Sequence, residues 1–141
     1  MNTQNYPTWL VPLDIAIELK EIGYKEDCYF EFSKDNGLTL ETLERESSII
    51  GIDDLLFGTN ECWQNISVPT WTEVFAWFRS KGYHSTLHTY SVMLGDTEEF
   101  RFYYEINSCQ EYIAAPEEYY KTYEQAQTYC LKKLIEIYKN N

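Results

Sequence analysis

The sequence has little positive charge, and this shortage limits the partners that it can bind directly. Lysine and arginine number 11 against 23 aspartates and glutamates, which gives a net charge of −12. Nucleic acids and anionic membranes attract clustered lysine and arginine, so we expect direct binding to neither. A basic protein fits this charge as a partner, and so does mimicry of nucleic acid by the chain's own carboxylates. The simplest alternative is an acidic surface that only keeps the protein in solution.

The chain also lacks patterns for membrane insertion, secretion and cysteine pairing. Residues 1–6 contain no positive charge and lead into no apolar signal core, and no stretch approaches the length of a membrane span. Its cysteines are widely spaced, with no paired Cys-x-x-Cys ligands. We therefore expect a cytoplasmic protein whose cysteines stay reduced. The four cysteines are Cys28, Cys62, Cys109 and Cys130.

Catalytic and metal-binding patterns are missing as well. Six scattered glycines form neither a phosphate-binding loop nor a dinucleotide fingerprint, and there is no Gly-x-Ser-x-Gly elbow. The only histidines, His84 and His88, lie in a strand pattern that places them about 13 Å apart on one face, too far to share an ion. We assign no catalytic residue, no metal ligand and no cofactor. An unrecognised hydrolase, which would need a pocket with convergent polar groups, stays an alternative.

What the chain does have is enough apolar sequence for one folded domain over residues 1–141. Its hydrophobic fraction is 44%, and 17% of its residues are aromatic. A chain of this length can bury a single core without metals or disulfides. Helical and strand patterns alternate along it, which predicts an α+β fold with helices packed on a largely antiparallel sheet.

Three segments have helical spacing of apolar residues together with start or stop signals. Pro12 suits the first helical position, and Gly23 suits the end of that helix. Thr70 and Glu73 match a capping box at the start of the second helix, and residues 122–125 match another at the start of the third. The predicted helices cover about 12–22, 71–81 and 123–138.

Strand patterns fill most of the sequence between these helices. Asp35-Asn36-Gly37 and Leu94-Gly95-Asp96-Thr97 are turn signals, each between two such patterns. A short edge strand is possible near Tyr112-Ile113. Residues 44–67 favour no assignment, because two glycines interrupt their apolar run. The predicted strands cover about 28–32, 38–42, 84–93 and 99–107.

One three-residue sequence occurs twice and organises the chain. Pro7-Thr8-Trp9 returns as Pro69-Thr70-Trp71, and each copy precedes a helix that ends at a Gly-Tyr pair and leads into strands. This echo is consistent with two degenerate α-β-β units, about 7–43 and 69–107, followed by a C-terminal helix. Two segments that use the same helix-start and helix-end signals without common descent explain the echo equally well.

Thirteen tyrosines and four tryptophans are many for this length. Most should pack in the core or on sheet faces, and we expect this of Trp71 and Tyr123, which directly follow capping threonines. Exposed tyrosines are enriched in binding hot spots. We expect Tyr119 and Tyr120 to be the most exposed pair, and the candidates for binding are Tyr119, Tyr120 and Tyr112.

Three blocks of the sequence together resemble a known family. Val11–Tyr24 begins Val-Pro-Leu, Pro69–Arg79 contains Pro-Thr-Trp, and Tyr120–Glu136 contains Thr-Tyr-Glu. In this order they look like small proteins of Bacteroides-type bacteria and their phages, for which no activity is known to us. The resemblance implies a phage or mobile-element accessory protein and a role without catalysis. We therefore expect a small acidic protein that binds another protein, with inhibition of a host DNA-binding protein by mimicry as the alternative.

Overall fold

The computed structural model describes residues 7–26, 28, 30–33, 37–40, 65–108, 112–114 and 119–141. Within these residues lie three helices and six strands, and the strands form two antiparallel sheets of three strands each. The predicted α+β fold class is confirmed, and the strands expected in one sheet are divided between two. Backbone contacts group the chain into two compact units, residues 1–74 and 75–141.

The first unit packs one helix on a small sheet. In this sheet the first strand lies in the middle and pairs with both others, so that Phe30 faces Leu40 on one side and Val68 on the other. The helix packs on the third strand. The elements are α1 (Leu13–Glu21), β1 (Phe30–Ser33), β2 (Gly37–Leu40) and β3 (Asn65–Val68).

Helix α1 begins one residue later than its sequence suggested. Pro12 is the N-cap, with φ −57° and ψ 150°, so its backbone is still extended. Proline fixes φ but leaves ψ free, and it therefore fits both positions. At the other end Gly23 has a φ of +93°, and the Tyr24 amide donates to the Leu19 carbonyl at 2.9 Å. Gly23 thus closes the helix as predicted.

Strand β3 falls in the segment that received no assignment from its sequence. Residues 65–67 form most of it, and residues 44–64 lie outside the described part of the chain. Val68 is fully buried and Ser67 is buried beside it, so the strand has no exposed polar face at that point. Its short alternation is a weak signal in sequence, because β3 is positioned by its pairing with the distant strand β1.

The two Pro-Thr-Trp segments pair with each other. Leu10 and Thr70 form an antiparallel bridge, and the Val11 amide donates to the Pro69 carbonyl at 3.0 Å. The indole Nε1 of Trp71 donates to the Thr8 carbonyl, also at 3.0 Å. The echo is therefore a contact inside the first unit. Whether the two halves descend from one ancestor stays a prediction.

Helix α2 (Trp71–Ser80) starts in the first unit and continues into the second. Its predicted capping box is confirmed: the Glu73 amide donates to Thr70 Oγ1 at 3.2 Å, and the Thr70 amide donates to Glu73 Oε2 at 2.7 Å. Gly82 follows the helix with a φ of +92°. The apolar face predicted for α2 is buried at Val74, Phe75, Trp77 and Phe78.

The second unit is built on a long hairpin. Its sheet has the order β4-β5-β6, so here the second strand is central, unlike in the first unit. β4 and β5 pair over twelve residues each, from Tyr83↔Ser108 to Leu94↔Thr97. Gly95 has a φ of +66° and Asp96 does not have a positive φ, which fits a type II′ turn. The elements are β4 (Tyr83–Leu94), β5 (Thr97–Ser108), β6 (Tyr112–Ala114) and α3 (Tyr123–Lys139).

Helix α3 covers one face of this hairpin. Tyr104 and Ile106 of β5 are buried on that face, and Ser85 of β4 forms a hydrogen bond with Cys130. Burial raises the pKa of the Cys130 thiol to about 12, although the bond with Ser85 acts in the opposite direction. The buried residues of α3 are Ala126, Cys130, Leu131, Leu134 and Ile135.

The start of α3 uses its capping box in part. The Gln125 amide donates to Thr122 Oγ1 at 3.1 Å, as predicted. The return bond goes to a different residue, because Gln125 Oε1 accepts from the Lys121 amide at 3.3 Å. None of the helices in the described residues is long and apolar enough to cross a membrane.

Candidate functional site

The β4–β5 hairpin has two chemically different faces because side chains alternate along each strand. Tyr104 and Ile106 point to the α3 side and are buried. The residues on the opposite face include His88 and Tyr90 of β4 and Tyr103 of β5, and all three are half-buried. Strand register places Tyr103 directly across from His88. On this second face the rings of all three residues remain partly accessible.

Four rings form a continuous cluster there, which we call the tyrosine–histidine cluster: His88, Tyr90, Tyr103 and Tyr119. His88 stacks on Tyr103, with ring centroids 4.6 Å apart and planes 16° apart. Tyr119 lies 4.8 Å from Tyr90 and 5.5 Å from Tyr103, in edge-to-face geometry. Tyr90 and Tyr103 are 6.1 Å apart. These are favourable aromatic arrangements, and they hold each ring in place.

Tyr119 is the outermost ring of the cluster, with 58% of its surface exposed. Its position follows from Tyr120, whose amide and carbonyl both bond with Phe102 of β5 at 2.8 and 2.9 Å. Because neighbouring residues of an extended chain point to opposite faces, Tyr119 reaches the cluster while Tyr120 turns to the α3 side. Desolvation, and then the proximity of Tyr119, raises the pKa of Tyr90.

Charged groups flank the cluster without giving it a strong net charge. His88 Nε2 lies 3.4 Å from Glu105 Oε2, an ion-pair distance whenever the imidazole is protonated. The geometry does not make a hydrogen bond, and Nε2 is itself buried. We therefore regard this contact as electrostatic. Arg101, across from Tyr90, pairs with Glu99 at 2.7 Å.

The three predicted binding residues have different surroundings. Tyr119 is exposed, as expected. Tyr120 is only half-buried, because its ring stacks between Tyr104 and Tyr129 with centroids 6.2 and 4.9 Å away. The backbone of Tyr112 lies in β6, which confirms the predicted edge strand, and its side chain is outside the described atoms. A binding role for these tyrosines stays a prediction.

Two residues expected to be packed behave differently from each other. Trp71 is partly buried and bonds with Thr8. Tyr123 is 41% exposed, so the expectation that it is packed is wrong. Its ring meets only the edge of Phe102 among the described rings, at 6.1 Å, because the first turn of α3 lies at the margin of the sheet.

A groove of about 600 Å³ is lined by residues of β5 and by residues at the start of α3. It is open to solvent, and its charges are mixed: Arg101 and Lys121 are cationic, whereas Glu99 and Glu124 are anionic. Glu99 already pairs with Arg101. Its lining also includes Phe100, Phe102, Thr122 and Tyr123.

The part of the chain that the structure describes holds no group of three His, Cys, Asp or Glu side chains placed to bind a metal. His84 and His88 lie on one face of β4, as the strand pattern predicted. Cys28 and Cys130 are buried and are not in disulfides, and Cys62 and Cys109 lie outside the described residues. No protein-family model, curated protein or solved structure matches this chain. Its function must therefore be inferred from its surface.

Sequence reasoning missed three of the four residues of the cluster. His88, Tyr90 and Tyr103 were assigned to strands without a role. Period-2 spacing places His84, His88 and Tyr90 on one face, and this signal was available in the sequence. The register that brings Tyr103 across from His88 is set by the hairpin turn at Leu94-Gly95-Asp96-Thr97, which the sequence indicated, so the residue pairing could have been counted outward from this turn.

Proposed function

We propose that this protein acts by binding another protein through the tyrosine–histidine cluster, without catalysis. The exposed ring of Tyr119 on a cluster held rigid by His88, Tyr90 and Tyr103 carries the proposal. Tyrosine suits such a role because its ring contributes apolar contact area and its hydroxyl can bond to polar groups of the partner. Rings already fixed by their neighbours lose little entropy on binding.

The chemistry of the chain favours a basic partner. A net charge of −12 attracts a cationic protein over long distances and speeds its approach. Tyrosine faces accept arginine and lysine by cation–π contact, and Glu105 lies at the rim of the cluster. The same charge opposes direct binding to nucleic acid. A cytoplasmic location agrees with Cys28 and Cys130 being reduced, and a phage or mobile-element origin rests on the sequence resemblance alone.

Site-specific photo-crosslinking tests this proposal. A photoreactive phenylalanine analogue at position 119 should crosslink to a basic protein in a lysate of the native host. The same analogue at position 129, where the tyrosine is 50% exposed on α3, is the matched control and should not. The captured protein is then purified, and its affinity is measured by calorimetry.

In that second step Tyr119→Ala should weaken binding by roughly thirtyfold, as expected for a hot spot of about 2 kcal/mol. Tyr129→Ala should leave the affinity unchanged within about threefold. Binding should also weaken as salt is raised, because the attraction between opposite charges is screened. Equal affinity of the wild type and Tyr119→Ala would refute the cluster as the binding site.

A second candidate function is mimicry of nucleic acid towards a host DNA-binding protein. The observation that favours it is a row of acids on α1, where Asp14, Glu18 and Glu21 follow each other at intervals of four and three residues. Such acids lie along one side of a helix. Competition decides between the two: a mimic displaces DNA from its target, and the triple variant Asp14→Asn, Glu18→Gln, Glu21→Gln loses this ability whereas Tyr119→Ala keeps it.

A further inference from the structure

Strand β4 lies at one edge of its sheet for its whole length of twelve residues. It pairs with β5 on one side, and no strand in the described residues pairs with it on the other. The direction of its backbone groups follows from Phe102, which bonds with Tyr120 on the far side of β5. In an antiparallel ladder the backbone amides and carbonyls of successive residues point alternately towards one neighbouring strand and away from it. The even-numbered residues of β4 therefore bond to β5. The amides and carbonyls of the odd-numbered residues, from Tyr83 to Met93, point outward.

This outer edge has none of the features that usually prevent strands from pairing. The sequence of β4, YHSTLHTYSVML, contains no proline, lysine, arginine, aspartate or glutamate. Its register with β5 runs from end to end without a bulge. Natural edge strands are normally protected by such residues or by bulges, because an open row of backbone groups recruits another strand.

The opposite edge of the same sheet is protected. β6 and Tyr120 pair with part of β5. Beyond them, the outward-pointing carbonyl of Phe100 accepts a hydrogen bond from the guanidinium of Arg101 at 3.1 Å, and Glu99 holds that guanidinium at 2.7 Å. One edge is therefore occupied or blocked by the chain itself, whereas nothing in the described part of the chain pairs with the outer edge of β4.

We propose that β4 pairs in antiparallel fashion with β4 of a second copy of this chain. The charge of the strand argues for this occupant. A chain with a net charge of −12 repels its own copy, and an acid on β4 would face a like charge across the two-fold axis. β4 contains no lysine, arginine, aspartate or glutamate. A basic partner strand, in contrast, would find no carboxylate on this edge to recognise. This interface is separate from the proposed function of the tyrosine–histidine cluster.

The geometry of the second unit permits this pairing. α3 packs mainly on β5 and meets β4 near Tyr83 and Ser85, towards the start of the strand. Between the copies, each outward-pointing residue must lie opposite an outward-pointing residue. Of the two longest registers that satisfy this condition, one places Leu87 opposite Thr89 of the second copy. The other places Thr89 opposite Thr89 of the second copy. Either gives about ten to twelve hydrogen bonds between the copies, as many as a standard protein interface. The two tyrosine–histidine clusters would then lie on the same face of one six-stranded sheet.

The test is the mass of the full-length protein in solution, measured by sedimentation equilibrium from about 1 to 500 µM, with Ser91→Pro as the key variant. The Ser91 amide points outward and is not used by β5, so proline removes a bond between copies and leaves the hairpin ladder intact. Ser91→Thr keeps the amide and is the matched control. We expect a wild-type dimer, an unchanged Ser91→Thr dimer, and a dissociation constant raised roughly a hundredfold by Ser91→Pro, because the two-fold axis applies each change twice.

A second pair of variants separates pairing from folding. Thr89→Lys adds a positive charge at the seam in both copies and should also give monomers. Thr97→Lys, at the turn end of β5, should remain dimeric. Circular dichroism spectra matching the wild type must accompany each monomeric variant. A wild-type protein that is monomeric at 500 µM overturns the proposal, and so does a dimer that Ser91→Pro and Thr89→Lys leave intact.

Discussion

The indole Nε1 of Trp71 donates a hydrogen bond to the backbone carbonyl of Thr8, 3.0 Å away and 63 residues earlier in the chain. Each residue belongs to one copy of the repeated Pro-Thr-Trp sequence. The first copy supplies backbone groups and the second supplies a capped helix start and an indole donor. The two copies therefore have unequal roles in one contact, and of their two threonines only Thr70 caps a helix, because α1 begins at Leu13 with Pro12 as its N-cap.

The first prediction concerns this hydrogen bond. Trp71→Phe keeps an aromatic ring and removes the indole N–H, so it should lower the free energy of unfolding by about 1 kcal/mol. Trp9→Phe is the control: Trp9 is 52% exposed and meets Phe30 edge-to-face at 4.9 Å, a contact that a phenyl ring can keep. Urea unfolding followed by circular dichroism measures both. Equal losses in the two variants would mean that the bond contributes little.

The second prediction concerns the cap of α2. Thr70→Ala removes the side-chain acceptor for the Glu73 amide and should cost about 1 kcal/mol of stability. Thr72→Ala, two residues later at an exposed position, removes the same atoms without breaking the cap. It should change stability by less than about 0.5 kcal/mol. The comparison requires only the midpoints and slopes of urea unfolding curves. A Thr72→Ala loss as large as that of Thr70→Ala would contradict it.

The third prediction concerns the end of α2. A side chain at Gly82 would meet open space, so the expected cost of Gly82→Ala comes entirely from its φ of +92°. This strain should destabilise the protein by about 1–2 kcal/mol. Gly82→Asn should cost less, because asparagine tolerates left-handed backbone better than alanine does. Thermal and urea unfolding would show this ranking, and a neutral Gly82→Ala would contradict it.

The fourth prediction concerns the stability of the protein at alkaline pH. The pKa of Cys130 is about 12 in the folded protein, against a normal value of 9.0. The unfolded chain therefore loses the thiol proton first as pH rises, which favours unfolding. The contribution of this thiol is fully present below about pH 9 and is lost progressively between about pH 9 and 12.

Urea unfolding at pH 7, 8, 9 and 10 checks this dependence. Cys130→Ala should be less stable throughout because it leaves a cavity. Its free energy of unfolding should nevertheless fall less steeply than that of the wild type between pH 8 and 10. Burial also raises the pKa values of Tyr24 and Tyr104, but these tyrosines affect stability mainly above pH 10. Parallel curves would show that the thiol does not titrate as described.

Local signals in the sequence predicted much of this fold. The capping box at Thr70, the glycine stop at Gly82 and the turn at Gly95 act within a few residues, and each is found where it was expected. Burial of the apolar faces of α1 and α2 followed from helical spacing. β3 was not predicted from the sequence. Its four residues alternate only weakly between apolar and polar, and their position is set by pairing with β1. The division into two sheets likewise depends on contacts between distant residues.

The candidate site, like the fold, could be predicted from the sequence only in part. Tyr119 was expected to be exposed because it lies in a loop before α3, and it is. Tyr120 is less exposed because its backbone joins the edge of β5, a long-range contact that no local pattern encodes. His88 and Tyr103 became neighbours through strand register. Residue spacing can identify which side chains share a face, but not which strands bring them together.

The pairing of the two Pro-Thr-Trp segments also bears on the order in which the first unit folds. Contacts 63 residues apart close a long loop, and the entropy lost in closing it opposes early formation. The β4–β5 hairpin, in contrast, closes through a two-residue turn. We expect the segments around Thr8 and Trp71 to pair after the folding transition state, when the chain has already collapsed. Trp71→Phe should then accelerate unfolding and leave the refolding rate nearly unchanged, a distinction that stopped-flow kinetics can make.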